Sequence, residues 1–322
     1  MNEAIADKMC GVVYGQAIGD ALGLGTEFMS RREVAETYPG GFYSYDQIVQ
    51  DEHRSRWRKG AWTDDTDQLL CILDSLVAKG GVHIHDIARR FYHWAMNGGM
   101  GIGATVYAVL SAPTFLADPH SVAHQVWQQS GRRAAANGAV MRTAVLGIWQ
   151  YHDPTAVVAN AEQVSQITHA DPRCLWSSAA ISLVISALLR GSSAAAALQD
   201  AVALLPRYND ERIGQYLERV DDLAALDLDE GLNPGEPDRI GYTLKATCAG
   251  LWALKHASSF AEGVLAIVQE GGDADTNAAV AGALLGAKFG YAAIPEGWVR
   301  ELADEPLLRS RVDALLTSLK DR

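Results

Sequence analysis

The stretch GVVYGQAIGDALG, residues 11–23, carries glycine at every fourth position: Gly11, Gly15, Gly19 and Gly23. A spacing of four places these glycines on one face of a helix. Glycine inside a helix costs about 1 kcal/mol relative to alanine, so four on one face need a compensating contact. Close approach of a second backbone is the physical explanation. The polar Gln16 and Asp20 rule out a membrane span, so the stretch predicts a soluble, tightly packed helix.

A second helix of small residues is predicted near the other end of the chain, from Asn277 to Phe289, with Gly290 ending it. Its small side chains are Ala279, Ala281, Gly282, Ala283, Gly286 and Ala287. Because small residues allow two backbones to come close, we expect the two helices to cross tightly at the centre of the molecule.

Helical periodicity dominates the remaining chain, and no segment alternates convincingly with period two. From Asp64 to Lys79 apolar residues fall at i, i+3, i+4, i+7 and i+8, and two glycines follow. Similar patterns predict helices over about 86–96, 139–151, 155–167, 175–189 and 244–256. We therefore expect an all-α protein with one compact domain over residues 1–322. The acidic segment at about 207–241 would be a peripheral excursion, with a loop at 231–237.

Composition and charge argue against several classes of function and location. Net charge is −12 and no run of five basic residues occurs, which argues against a nucleic-acid grip. The N-terminus lacks the pattern of a signal peptide. The most apolar stretch, Ala179–Leu189, is shorter than the roughly 20 residues that a membrane span needs. The four scattered cysteines favour small core residues in a reducing compartment. We expect a cytoplasmic protein with no membrane contact.

Two acidic motifs mirror each other: Thr63-Asp64-Asp65-Thr66 and Asp273-Ala274-Asp275-Thr276. Each lies where a loop becomes a helix. Asp and Thr are also common helix starters, so a single motif has an ordinary structural explanation. Hard divalent cations prefer oxygen ligands, and two such clusters brought together could hold a pair of them. The near-identity of the two motifs favours the cation site.

A glycine-rich segment at 97–105 contains Gly98, Gly99, Gly101 and Gly103, and Thr105 follows at the start of a helical pattern. Glycines let backbone N–H groups approach an anion, and a helix N-terminus adds a favourable dipole. A plain flexible turn is the alternative. If the segment cradles a diphosphate, a branched side chain at 101 should weaken anion binding and spare the metal site.

Three further segments are weak signals when taken alone. Asn137 and Gly138 begin a polar turn that leads into an apolar pattern, and His169 lies in a loop before the next helix. Glu27 follows the glycine-striped helix and could reach the centre of the molecule.

Taken in order, these segments resemble the ADP-ribosylglycohydrolase family over about residues 8 to 300. The matching pieces are Gly19–Gly23 with Glu27, Trp62–Thr66, Gly101–Thr105, Asn137–Arg142, Thr168-His169 and Gly271–Thr276 with the helix that follows. The resemblance implies an orthogonal helical bundle of that type, with two divalent cations, Mg²⁺ or Mn²⁺, at the base of a cleft.

The resemblance also implies roles for individual residues. The metal ligands would be Thr63, Asp64, Asp65, Asp273, Asp275 and Thr276. The catalytic group would comprise Glu27, Asp64, Asp65 and Asp273. The ADP-ribose would contact Gly98, Gly99, Gly101, Gly103, Thr105, Asn137, Gly138 and His169.

The implied reaction is hydrolysis of the bond between C1″ of ADP-ribose and an acceptor, either a protein side chain or a small molecule. Some arginine-directed relatives carry aspartate where this chain has Gly101, and many carry serine where it has Ala136. Both departures leave the acceptor open. One alternative is a non-catalytic ADP-ribose-binding or crystallin-like protein of the same fold. Another is a helical diphosphate lyase, but that chemistry wants an acid where this chain has Gln68.

Overall fold

The computed structural model describes residues 2–232 and 240–320, which form sixteen α-helices and no β-strand. In chain order they are α1 (Glu3–Gly23), α2 (Arg31–Thr37), α3 (Asp64–Lys79), α4 (Ile84–Met96), α5 (Ala104–Leu110), α6 (Pro119–Gln129), α7 (Ala144–Trp149), α8 (Pro154–Ser165), α9 (Pro172–Leu189), α10 (Ala194–Ala203), α11 (Glu211–Leu217), α12 (Thr243–His256), α13 (Phe260–Val268), α14 (Ala274–Phe289), α15 (Glu296–Arg300) and α16 (Glu305–Lys320). The predicted all-α class is confirmed.

Helices α1 and α14 lie backbone against backbone. A Cβ atom built on Gly15 would lie 2.2 Å from the carbonyl oxygen of Gly282, and one on Gly282 would lie 2.0 Å from that of Gly15. The same relation joins Gly11 to Gly286, Gly19 to Ala278 and Gly23 to Ala274. Positions rise along α1 as they fall along α14, so the helices are antiparallel. The predicted tight contact is confirmed, and it extends for about 18 Å along the helix axes.

The core is built around α14 and α9. Helix α14 also packs against α9, α12 and α13, while α9 packs against α7, α8 and α10. Helix α9 is long and apolar enough to cross a membrane, but 89% of it is buried inside the protein, as in the core helix of a soluble protein. It is longer than its most apolar stretch because it begins at Pro172.

Three helices begin with the same Asp-Pro pair. Asp118, Asp153 and Asp171 precede α6, α8 and α9, and each carboxylate accepts a hydrogen bond from a backbone N–H of the first turn. Proline at the first helical position has no N–H to leave unpaired, and its fixed φ suits the helix. These caps begin α8 and α9 slightly before the predicted positions.

The helix predicted over 139–151 is wrong in its first half. A 3₁₀ turn, Val140–Arg142, comes first, and α7 begins only at Ala144. Gln16 Nε2 donates to the carbonyl oxygen of Met141 at 2.8 Å. Because α1 binds this carbonyl and the Arg142 side chain is turned into the core, the segment does not continue as one regular helix.

The described part of the 207–241 segment packs against the core. Its buried apolar and aromatic side chains include Tyr208, Ile213, Tyr216, Val220, Leu226 and Leu228. Lys245, fully buried in α12, donates from Nζ to the carbonyl oxygens of Asp227 at 2.7 Å and Glu230 at 2.9 Å. Residues 233–237 of the predicted loop lie outside the described residues.

Replacing Gly15 with alanine should destabilise the protein. The new methyl group would collide with the Gly282 backbone, so we expect the free energy of unfolding to fall by about 2 kcal/mol or more. Gly214→Ala in α11 is the control, because nothing lies within 4 Å of its added Cβ. That change should stabilise the protein by up to about 1 kcal/mol. Urea unfolding measures both, and an unchanged midpoint for Gly15→Ala would contradict the close contact.

Candidate active site

Both acidic motifs lie at helix N-termini, as predicted. Thr63 precedes α3, and Asp273 precedes α14. The two motifs meet across the site: Thr63 Oγ1 lies 3.4 Å from Asp275 Oδ2, and Thr276 Oγ1 lies 3.3 Å from Asp65 Oδ2. The positive end of each helix dipole offsets part of the repulsion between the carboxylates.

Glu27 joins this cluster through the turn that follows α1. The Phe28 N–H donates to the carbonyl oxygen of Gly272 at 2.7 Å, and the Gly272 N–H donates to that of Met29 at 2.8 Å. Gly272 has φ +73 and no room for a side chain, because a Cβ would lie 2.1 Å from the Leu228 carbonyl oxygen. The paired hydrogen bonds hold Glu27 beside the second acidic motif.

The oxygen atoms form two adjacent groups. Glu27, Asp273 and Asp275 each bring one carboxylate oxygen within 4.8 Å of the others. The second group contains the side-chain oxygens of Thr63, Asp65, Asp275 and Thr276. Asp275 belongs to both groups. Asp65 Oδ1 is buried and has no hydrogen-bond partner among the described residues. Carboxylate and hydroxyl oxygens are the ligands that hard divalent cations prefer, so these residues fit such an ion.

Burial makes the charged form of this cluster unfavourable. It raises the pKa values of Glu27, Asp64, Asp65 and Asp275 well above their ordinary range, and repulsion between the carboxylates adds to the effect. No lysine or arginine forms an ion pair with Asp64, Asp65, Asp273 or Asp275 among the described residues. A bound divalent cation would compensate the charge directly.

Asp20 is a residue whose role the sequence did not indicate. Its Oδ1 accepts from Thr63 N and Oγ1, both at 2.9 Å, and its Oδ2 accepts from Thr66 N at 3.1 Å and Oγ1 at 2.6 Å. Burial raises the pKa of Asp20 to about 7, against the lowering effect of these four donors. One carboxylate from α1 thus fixes the first turn of α3. An acid within a run of glycine and apolar residues was the only sequence signal.

The acidic cluster lies in a cleft of about 1060 Å³. Thirteen of the predicted site residues line this cleft: Glu27, Thr63, Asp64, Asp65, Gly101, Gly103, Thr105, Asn137, Gly138, His169, Asp273, Asp275 and Thr276. Gly98 and Gly99 do not. A Cβ on Gly99 would lie 2.6 Å from the Trp94 ring, and Gly98 has φ +93, so both glycines serve the turn after α4.

Gly101 lies beside Asp64 of the first acidic motif. It has φ +86, and a Cβ built on it would lie 2.4 Å from Asp64 Oδ1. A side chain at position 101 would therefore meet Asp64, one of the predicted metal ligands, contrary to the expectation that it would leave those ligands undisturbed. The sequence predicted an anion-binding loop separate from the acidic motifs. In the folded chain the loop packs against the Asp64 carboxylate.

Asn137, Gly138 and His169 line another part of the cleft. Asn137 Nδ2 donates to Asp273 Oδ2, so this amide holds the acidic cluster as well as lining the cleft. A Cβ on Gly138 would lie 3.0 Å from the His169 ring. His169 Nε2 is buried and has no hydrogen-bond partner among the described residues. Burial, aided by the charge of Arg142, lowers the pKa of His169 to about 3, so the ring is neutral at pH 7.

Gly101→Ala should weaken Mn²⁺ binding in titration calorimetry. Its methyl group would displace the Asp64 carboxylate, and we expect at least about a tenfold loss of affinity, the range seen when partners of metal ligands are changed. Gly103→Ala is the matched control, since its Cβ meets nothing within 4 Å, and it should bind like the parent. Equal affinities for all three proteins would contradict the contact with Asp64.

The metal-free protein should keep its helices and lose stability as pH rises from 6.5 to 8.5. Carboxyl groups with raised pKa values hold protons more tightly in the folded than in the unfolded state, so their contribution to folding decreases as pH passes their folded pKa, about 7 for Asp20. Circular dichroism in EDTA should show strong helix at both values, with a lower Tm at pH 8.5. Mn²⁺ should raise the Tm more at pH 8.5. A Tm that rises with pH in EDTA would oppose this account.

Known proteins resemble this chain along its whole length. A family model for ADP-ribosylglycohydrolase matches residues 1–322. An ADP-ribosylarginine hydrolase of Serratia proteamaculans is 26% identical over 313 residues, 96% of this chain and 79% of that protein. The ADP-ribosyl-dinitrogen reductase glycohydrolase of Rhodospirillum rubrum is 26% identical over 319 residues, 97% of each. A solved structure of an ADP-ribosylglycohydrolase-related protein complex is 26% identical with a TM-score of 0.73, covering 98% of this chain and 99% of that chain. This chain, with its paired acidic motifs at the base of a cleft, belongs to the ADP-ribosylglycohydrolase family.

Proposed function

We propose that this protein is a hydrolase that uses two divalent cations, Mg²⁺ or Mn²⁺, to release ADP-ribose from a modified acceptor by cleaving the C1″ glycosidic bond. The observation that carries the proposal is the pair of adjacent oxygen groups sharing Asp275 at the base of the cleft. The relatives named for removing ADP-ribose support the reaction class.

Each of the two oxygen groups would hold one cation. Glu27 and Asp273 would hold one ion, and Thr63, Asp65 and Thr276 the other, with Asp275 available to either group. Asp64, which also lines the cleft, would be a further ligand. When bound, the cations would supply Lewis-acid polarisation and would offset the charge of the buried carboxylates.

The chain's own residues orient the reaction. Asp20 and Asn137 hold the two acidic motifs in place, which limits reorganisation when charge develops. A carboxylate at this site, Asp64, Asp65 or Asp273, accepts the proton of the attacking water. Glu27 lies where it can orient the leaving group, and its Oε2 is held at 2.6 Å from His53 Nε2. The transition state is oxocarbenium-like, as in other glycosidic cleavage.

The cleft fits ADP-ribose in size and in donors. Its volume of about 1060 Å³ lies at the upper end of pockets that enclose small ligands. The backbone at Gly101 and Gly103 faces the cleft, and four arginines also line it: Arg56, Arg133, Arg173 and Arg212. Arg173 and Arg212 form ion pairs with Asp171 and Asp210, so we assign the diphosphate to Arg56 and Arg133.

The acceptor need not be arginine. Gly101 offers no side-chain carboxylate, so one possible partner for a guanidinium is missing at this edge of the cleft. Near Glu27 the cleft is instead lined by Phe28, His53 and Trp57, with the Phe28 ring 5.0 Å from that of His53. Phe28 is 50% exposed, which leaves an aromatic surface for the acceptor.

Purified protein should release free ADP-ribose from at least one of three substrate types: arginine-, serine- and nucleobase-linked ADP-ribose. Chromatography would follow the reaction with Mg²⁺ or Mn²⁺ and with EDTA, which should abolish it. Asp273→Ala should lower kcat by at least about 100-fold, the scale of losing a group that stabilises the transition state. Asp304→Ala, at an exposed ion pair with Arg58, is the control and should act like the parent.

Three outcomes would count against this proposal. Release that is indifferent to EDTA would remove the cations from the mechanism. Efficient cleavage confined to the arginine linkage would show that the absence of a carboxylate at position 101 does not broaden the acceptor. Binding of ADP-ribose without cleavage of any linkage would indicate a non-catalytic member of the fold.

A further inference from the structure

A line of buried polar side chains joins the acidic cluster to His169 in the cleft wall. Its members, in order of contact, are Asp64, Gln68, Arg142, Thr168 and His169. Arg142 is at the centre of the line, is fully buried and has its guanidinium carbon 4.3 Å from the centre of the Phe91 ring. A buried arginine that contacts no carboxylate directly among the described residues needs a reason, because burying a cation is costly.

Arg142 fixes the direction of the hydrogen bonds on the metal side. A guanidinium can only donate. Its Nη1 donates to Gln68 Oε1 at 2.5 Å, so the Gln68 amide must turn its NH₂ group the other way. That group donates to Asp64 Oδ2 at 3.0 Å. The Arg142 guanidinium therefore fixes Asp64 Oδ2 through Gln68. Asp64 Oδ1 stays free to lie beside Gly101 at the cleft.

Arg142 also fixes the direction of the hydrogen bonds toward His169. Arg142 Nη2 donates to Thr168 Oγ1, so the Thr168 oxygen acts as an acceptor there. The hydroxyl hydrogen then has His169 Nδ1, at 2.8 Å, as its partner among the described residues. An Nδ1 atom that accepts carries no proton. A neutral imidazole in that state has its proton on Nε2, the atom that has no hydrogen-bond partner in the described part of the chain.

We propose that Arg142 is a positioning residue that, through Thr168, holds His169 as an Nε2–H donor aimed at an oxygen of ADP-ribose and, through Gln68, holds the Asp64 carboxylate at the metal site. The role of Asp64 as a metal ligand and the choice of ADP-ribose as the bound molecule rest on the proposed function. The protonation state of the His169 ring does not depend on it. The Arg142 guanidinium thus orients both His169, a donor in the cleft wall, and Asp64, a ligand in the acidic cluster.

Thr168→Val and Thr168→Ser test the arm that ends at His169. Valine keeps the shape of threonine and removes the hydroxyl, whereas serine keeps the hydroxyl. Nitrogen-15 spectra of the histidine side chains report which ring nitrogen carries the proton, and a His169→Gln protein identifies the signal among nine histidines. Calorimetry with ADP-ribose and with Mn²⁺ gives the two affinities.

We expect the parent to show the Nε2–H form at His169. Thr168→Val should lose that form in favour of Nδ1–H or a mixture and should bind ADP-ribose about tenfold more weakly, the effect of losing one ordinary hydrogen bond. Its Mn²⁺ affinity should not change. Thr168→Ser should restore both the ring state and the ADP-ribose affinity.

Gln68→Leu tests the other arm without changing the histidine side. It should weaken Mn²⁺ binding and leave the Nε2–H signal in place, since Arg142 and Thr168 remain in contact. This reciprocal pattern separates positioning from a general loss of folding, which would affect both readouts in both variants.

The proposal is overturned if Thr168→Val keeps the Nε2–H form and the parent affinity for ADP-ribose. It is also overturned if the ring state changes while ADP-ribose affinity does not, because the histidine would then have no positioning role. A parent protein that does not bind ADP-ribose would refute the proposed function, and with it the ligand named here. The ring signals of parent and Thr168→Val would still decide whether Arg142 and Thr168 set the state of His169.

Discussion

The contact between the backbones of α1 and α14 is the constraint on which the rest of the structure depends. It exists because no side chain stands between Gly15 and Gly282 or between Gly11 and Gly286. A separation this small leaves little freedom for the ends of the two helices. The end of α1 that carries Asp20 and leads to Glu27 is therefore fixed against the beginning of α14. Helix packing thus sets much of the geometry of the acidic cluster.

Local patterns in the chain predict much of this arrangement. The apolar periodicity of α3 gave both of its ends, Asp64 and Lys79, because a cap and a terminating glycine flank it. The glycine spacing identified α1 and its small-residue partner, since only a close contact offsets that many glycines. The two acidic motifs were recognisable because each places several oxygen ligands within four residues.

What could not be predicted depends on contacts between distant segments. Nothing near Asp20 in the sequence reveals that its carboxylate accepts four hydrogen bonds from Thr63 and Thr66, at the start of a different helix. The break at Val140–Arg142 follows from an arginine drawn inward, which apolar periodicity does not register. Gly101 resembled part of an anion loop, and only the folded chain shows it against Asp64. Periodicity and motif spacing describe neighbours in sequence, whereas these three features are set by neighbours in space.

The antiparallel pairing of α1 with α14 also has a consequence for the order of biosynthesis. Gly11 and Gly286 lie near opposite ends of the sequence, so α1 leaves the ribosome long before its partner exists. At roughly 5–20 residues per second the interval is on the order of tens of seconds. Through that interval the apolar, glycine-rich face of α1 has no native cover, and a nascent chain in this state is a natural client for chaperones. Each half of the acidic cluster is likewise made without the other, so the cluster can assemble only after translation has passed Thr276.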